Sequence, residues 1–222
     1  MHLILSAMGK GPPRFVDAGA GATEAPVSVT LQVPYPATVV AGNFLLCQVY
    51  AVDTGVAATV DLPAGWTGIR SIVSADGFAR MRSFYKTADG TETGNLDVTT
   101  SGGDFSAGRI YRFSHGSAVE ADSGTNTDSS GTGMTAVDLT TLGPNRRAVQ
   151  LLGANVNTTI GDIAGESGAD YTEAVAEYAN AAGVIISCQT ALVPAAAAIT
   201  GGSATLGSAG IYRIRHGFAI VP

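Results

Sequence analysis

Apolar and polar residues alternate with a period of two along much of this chain. Val27, Val29, Leu31 and Val33 are separated by Ser28, Thr30 and Gln32, the pattern of a strand with one buried face. Pro34 and Pro36 stop it because proline cannot donate to a ladder. Phe44 to Val52 is almost continuously apolar, which predicts a central strand covered on both faces. Pro63-Ala64-Gly65 is a turn, and Trp66 opens the next strand. Ser74-Ala75-Asp76-Gly77 predicts a hairpin turn between Arg70–Val73 and Phe78–Tyr85. Leu96 and Val98 mark a further strand. The segment 169–183 has good local helix propensity. Read in the register of the repeat described next, it is two strands with a turn near Asn180; a short helix is the alternative.

Two stretches are near copies. Gly108-Arg109-Ile110-Tyr111-Arg112-Phe113-Ser114-His115-Gly116 resembles Gly210-Ile211-Tyr212-Arg213-Ile214-Arg215-His216-Gly217, with Ile110 and Ile211 101 positions apart. Thr87-Ala88 matches Thr190-Ala191 at an offset of 103, and Gly42-Asn43 matches Pro144-Asn145 at 102. So small a drift is what a diverged duplication leaves. On this reading, each half closes with an equivalent strand. Tyr111 and Phe113 in one copy, and Tyr212 and Ile214 in the other, point into the core. The chain divides into an N-terminal arm at 1–26, a first β half at 27–120, a polar linker at 121–133 and a second β half at 134–222. The linker reads Ala-Asp-Ser-Gly-Thr-Asn-Thr-Asp-Ser-Ser-Gly-Thr-Gly, a turn-and-linker composition. The expected fold is all-β: a sandwich or jelly roll of two similar halves with about ten to twelve short strands.

Composition agrees. Of 222 residues, 45% are apolar, 14% are charged and 29 are glycine, so the chain buries a core and turns often. Net charge is −6, with ten Arg and two Lys scattered along it. With no basic stripe to neutralise phosphates, nucleic acid is not an expected partner. The early apolar run Leu3-Ile4-Leu5 is too short for an export signal or a membrane span. Cys47 and Cys188 lie in apolar strand-like runs and read as buried free thiols.

Motifs for chemistry are sparse. Asp53-Thr54-Gly55 matches the catalytic triplet of aspartic proteases, which need two such aspartates. The equivalent region of the second half, Asn155–Thr159, has no carboxylate, and the triplet is also an ordinary turn. His115 and His216, the repeat histidines beside His2, form at most a two-ligand metal pair and read better as strand-end caps. Asn126, Asp128 and Gly131 lack the distal glutamate of a calcium loop. Gly165-Glu166-Ser167-Gly168 is not a nucleophile elbow, and Gly9-Lys10-Gly11 is not a phosphate loop. No catalytic residue, metal or cofactor is expected. Exposed aromatic faces can stack on sugar rings. The candidate contact residues for a glycan or a partner are therefore Trp66, Tyr111, Tyr212, His115 and His216, although Trp66 also suits a core anchor.

The first half carries an ordered series: Val33-Pro34-Tyr35-Pro36, Ala41-Gly42-Asn43-Phe44-Leu45-Leu46, Leu62-Pro63-Ala64-Gly65-Trp66-Thr67, Phe84-Tyr85-Lys86-Thr87-Ala88 and Ile110–Phe113. This series resembles a group of β-sandwich proteins of tailed bacteriophages and prophages. Asn43 stands where that group usually has aspartate, and the second half lacks the Gly-Trp-Thr element. The resemblance implies a non-enzymatic virion role in head decoration, a spike, or a tail-fibre or adhesion module. It implies symmetric homo-oligomers, capsid or tail partners and assembly in the host cytoplasm, with no membrane. A carbohydrate-binding module for host surface glycans is the alternative.

Overall fold

The computed structural model describes residues 11–24, 29–101, 103–179 and 183–222. His2, Lys10, Val27 and Asn180 lie outside them. Among the described residues sixteen strands follow one another: β1 Arg14–Ala18, β2 Ala22–Glu24, β3 Thr30–Pro34, β4 Phe44–Val52, β5 Thr67–Val73, β6 Ala79–Thr87, β7 Asn95–Thr99, β8 Phe105–Ser114, β9 Ala118–Thr135, β10 Leu139–Thr140, β11 Arg146–Asn155, β12 Ala164–Ser167, β13 Thr172–Glu173, β14 Tyr178–Ala179, β15 Ile185–Val193 and β16 Ala198–Val221. That exceeds the ten to twelve expected, because several are only two or three residues long. There is no helix among the described residues, and 169–179 forms β13 and β14 on either side of a bend.

Two antiparallel sheets form a sandwich. One runs β1-β8-β4-β6-β5, with β2 also on β8; in the other β16, β11, β15 and β13 are successive neighbours, with β9 on the free side of β16. As its apolar run predicts, β4 is buried at every position and is central, between β6 and β8. Its counterpart β11 lies between β15 and β16. The turn at 74–77 joins β5 to β6 as expected, with Gly77 N–H donating to Ser74 O at 3.0 Å.

Each half has its own core. In the first, the β3–β7 ladder supplies Leu31, Val33, Leu96 and Val98 to cover Cys47, Val49, Phe84 and Ile110. In the second, Leu139, Ile160, Ile199 and Leu206 cover Ala148, Leu152, Ile185 and Ala191. Even the isolated bridges correspond, Val60 with Thr100 and Ile160 with Leu206. A third core joins the halves: Phe44, Leu46, Tyr50, Met81, Tyr111 and Phe113 pack against Val149, Leu151, Ile186, Ile214 and Phe218. There β4 faces β11, β6 faces β16, β8 faces β15 and the edge strand β5 faces β9. Exchanging the halves maps the β4–β11 contact onto itself and the β6–β16 and β8–β15 contacts onto each other, so the arrangement of the two halves is approximately two-fold there; the β5–β9 contact has no counterpart of the same kind.

Residue by residue, the repeated phrase is not equivalent. Tyr111 lies opposite Leu46 and Phe113 opposite Phe44, all buried. In β16, His216 lies opposite Leu151 and Phe218 opposite Val149. Phe218, not Tyr212, fills the shared core as Phe113 does. Tyr212 is only partly buried, with φ of 52°, beyond a bulge between Gly153 and Asn155. The physical reason is that β16 runs on past the phrase to Val221, so its pairing with β11 is shifted along the chain.

Two further expectations are corrected. The polar segment 121–133 is strand, the greater part of β9, paired with β16. Part of the N-terminal arm is sheet too: β1 and β2 both pair with β8.

Candidate functional site

Of the five candidate contact residues, three are interior. Trp66 is 7% exposed and meets Phe84 edge-on at 5.3 Å. The Tyr111 hydroxyl donates to Gln48 Oε1 at 3.1 Å inside the shared core. His216 is fully buried, with Nδ1 2.9 Å from Ser83 Oγ across the two sheets. None of these three presents a face to a ligand. Tyr212 is a half-buried bridge: its carbonyl accepts from the Tyr50 hydroxyl at 2.7 Å, and its ring tilts on Phe78. His115 is exposed just beyond β8, at φ of 62°. The row through Ser83 crosses β8 at Arg109. His115 lies six residues further along, so the two repeat histidines are about 20 Å apart and cannot share a metal. Among the described residues no cluster of three His, Cys, Asp or Glu is placed to hold one.

Three members of the ordered motif series meet at one corner. Gly42 N–H donates to Ala88 O at 2.9 Å, and Ala88 N–H returns a bond to Asn43 O at 2.8 Å. Asn43 Oδ1 accepts from Val40 N–H at 3.0 Å and from Arg112 Nη1 at 3.3 Å. Arg112 also forks onto Asp17, Nε to Oδ1 at 2.7 Å and Nη2 to Oδ2 at 2.5 Å. This bidentate pair locks β1 to β8. Tyr85 stacks on Phe44 with centroids 5.0 Å apart, and Lys86 Nζ is 2.6 Å from Glu92. Both groups that Asn43 Oδ1 contacts are donors, so an aspartate would be equally at home there. Each motif thus has a structural task.

Asp53 also holds a turn: Oδ1 accepts from Gly55 N–H at 2.9 Å and Val56 N–H at 3.1 Å. Cys47 and Cys188 are buried free thiols, and burial pushes both thiol pKa values up. On β16, Arg215 is fully buried and donates to Asp128 Oδ2 at 2.6 Å, while Arg213 Nη2 lies 3.4 Å from the same oxygen. Arg213 also donates to the carbonyls of Ser130 and Gly133. This polar lacing is what makes the segment expected as linker a strand.

Glu173 titrates unusually. Burial pushes its carboxyl up from 4.5 to about 7; Glu177 and Asp162 add to this, and a 3.0 Å bond from Ser187 Oγ opposes it. Between those values the folded protein holds a proton that the unfolded chain has lost. Stability therefore falls as pH rises through this window, and the full cost is present above it. Glu173→Gln is expected to raise stability at about pH 8 by about 1 kcal/mol, solvent screening limiting the gain. Urea melts at about pH 4 should show no difference.

The remaining feature is a groove between the facing edges of the two sheets. One wall is β5 and the other β9. At one end Thr67, Gly68 and Ile69 stand with Tyr85 and Val119 around about 200 Å³. Further along, Arg70, Ser71, Ile72 and Val73 stand across from Thr125 and Thr127 around about 390 Å³. Thr125 also lines an adjoining cleft of about 340 Å³ with Asn126, Thr135 and Asp138. Arg80 Nη1 donates to Ser71 Oγ at 2.7 Å, and Gly201 N–H donates to Asp138 Oδ1 at 3.0 Å. The sequence hid this wall, because its hydroxyls belong to the polar stretch that reads as linker. Set against known protein families, curated proteins and solved structures, the chain matches none.

Proposed function

We propose that this chain is a non-enzymatic structural protein of a tailed-bacteriophage particle, a head decoration or spike or a tail-fibre or adhesion component, assembled in the host cytoplasm. The observation that carries the reading is the ordered series of the first half. Its members are scattered over some eighty residues of sequence, from Val33 to Phe113, yet three of them meet in the corner built on Asn43, Ala88 and Arg112, while Val33 and Trp66 of the other two enter the core of the same half. A series whose members serve the scaffold suits a protein whose role is a shell rather than a reaction. Two sheets joined through a shared core, with Asp53 spent on a turn, suit a rigid particle component. Such components commonly act as symmetric oligomers.

The test is proteomic. Particles induced from the strain that encodes the chain, purified through a density gradient, are expected to contain its peptides in fixed ratio to the major capsid or tail protein. Peptides confined to the cell lysate would overturn the reading.

A further inference from the structure

We infer that the groove between β5 and β9 is a binding site for a neutral oligosaccharide. The approximate two-fold relation supplies the first argument. By strand order β5 corresponds to β13 and β14, and β9 to β1 and β2; on that counterpart side Tyr178 of β14 meets Gly21, between β1 and β2. That side is closed. The Tyr178 ring lies over Gly21 so tightly that a Cβ on Gly21 would fall 2.1 Å from it. Arg109 staples the same edge, Nε to Gly19 O at 3.0 Å and Nη1 to Ala176 O at 2.8 Å. Among the described residues the β5–β9 side keeps its clefts, with the Tyr85 ring lining one end.

The lining supplies the second argument. Thr67, Ser71, Thr125 and Thr127 bring hydroxyls, each able to donate and accept, as sugar hydroxyls require. Ile69, Val73 and Val119 offer small apolar surface for the C–H faces of a ring. Both walls are strands, so little conformational entropy is lost on binding. The groove follows β5, a strand of seven residues, for about 20 Å, which favours a linear polymer over a small metabolite.

Two other polymers fit worse. An added peptide strand needs a regular edge, but β5 has a bulge between Gly68 and Arg70 and presents the charged Arg70, both devices that deter strand addition. A nucleic acid needs a basic stripe, and the chain carries a net charge of −6. The ligand lies in a groove of hydroxyls, not on an aromatic platform, because Trp66 and Tyr111 are interior. The inference does not depend on the particle reading: absence from particles would leave it standing, and failure to bind sugar would leave the particle reading standing.

The probes are linear hexasaccharides of glucose, galactose, mannose, xylose and N-acetylglucosamine, titrated calorimetrically into the whole protein up to about 10 mM. At least one is expected to bind saturably. Thr125→Tyr, which fills the groove from an exposed strand position, and the Thr125→Ala/Thr127→Ala pair, which removes hydroxyls without filling it, should each weaken that binding about tenfold or more. Leu142→Ser, at a position 74% exposed outside the groove lining, should leave it unchanged. Circular dichroism and melting of each variant confirm that it is folded. Failure of every hexasaccharide to bind overturns the inference, as does undiminished binding in both folded groove variants.

Discussion

Replacing Gly153 by valine is expected to cost about 3 kcal/mol, a large part of the stability of an ordinary domain. Gly153 sits where the central strands of the two sheets face each other. A Cβ there would lie 2.7 Å from Tyr50 Cδ2 and 3.2 Å from Cγ. Tyr50 cannot easily turn aside, because its ring is fully buried and its hydroxyl is held by Tyr212 O at 2.7 Å across the sheets. The new methyls must push the sheets apart and loosen the shared core. Urea unfolding should show a lower midpoint with little change in slope. Tyr50→Ala, which empties the facing site, should offset part of the loss, so that the double variant is at least 1 kcal/mol more stable than the two single costs predict. An unchanged midpoint in Gly153→Val would mean that the halves do not meet at this point.

Gln48→Leu is expected to cost a similar amount, about 3 kcal/mol, through its polar partners rather than its volume. Gln48 is fully buried on β4 and reaches both halves. Nε2 donates to Leu152 O at 2.8 Å and approaches Met81 Sδ at 3.4 Å, while Oε1 accepts from the Tyr111 hydroxyl at 3.1 Å. Leucine has nearly the same bulk, but it strips the Tyr111 hydroxyl of its acceptor and the Leu152 carbonyl of a donor where water does not reach. Tyr111→Phe alone should cost about 1–2 kcal/mol by stranding Oε1. In the Gln48→Leu background it should cost almost nothing, because the hydroxyl it removes is already unpaired. Additive costs, to within about 0.5 kcal/mol, would show that Gln48 and Tyr111 are not coupled through this bond.

Both predictions fall on positions that a sequence reading ranks low. Gln48 is a polar letter within an apolar run, and Gly153 is one of 29 glycines. Their weight comes from partners more than a hundred positions away, Leu152 for Gln48 and Tyr50 for Gly153. Local pattern cannot see contacts of that kind. The candidate site shows the same limit from the other side. Trp66, Tyr111 and His216 stand out as functional letters, yet each is interior, while the groove is lined by threonines and serine that carry no motif.

What the sequence determined by itself is the local periodic structure. The run Phe44–Val52 suits a central strand, since a strand covered on both faces hides apolar side chains in succession. The alternation at Leu31 and Val33 and at Leu96 and Val98, and the turn at 74–77, depend on neighbours a few residues apart and were legible for that reason. The duplication was legible as a repeat of strand order. Only the tertiary structure decided how the copies are used. Identical letters, Tyr111 and Tyr212, take different slots because a bulge and a longer β16 shift the pairing. The polar stretch 121–133 becomes strand because its hydrogen bonds and its Asp128 charge are met by β16 and by the buried Arg213 and Arg215. A polar segment is loop or strand according to whether water or another strand satisfies it, and that partner lies about eighty residues away.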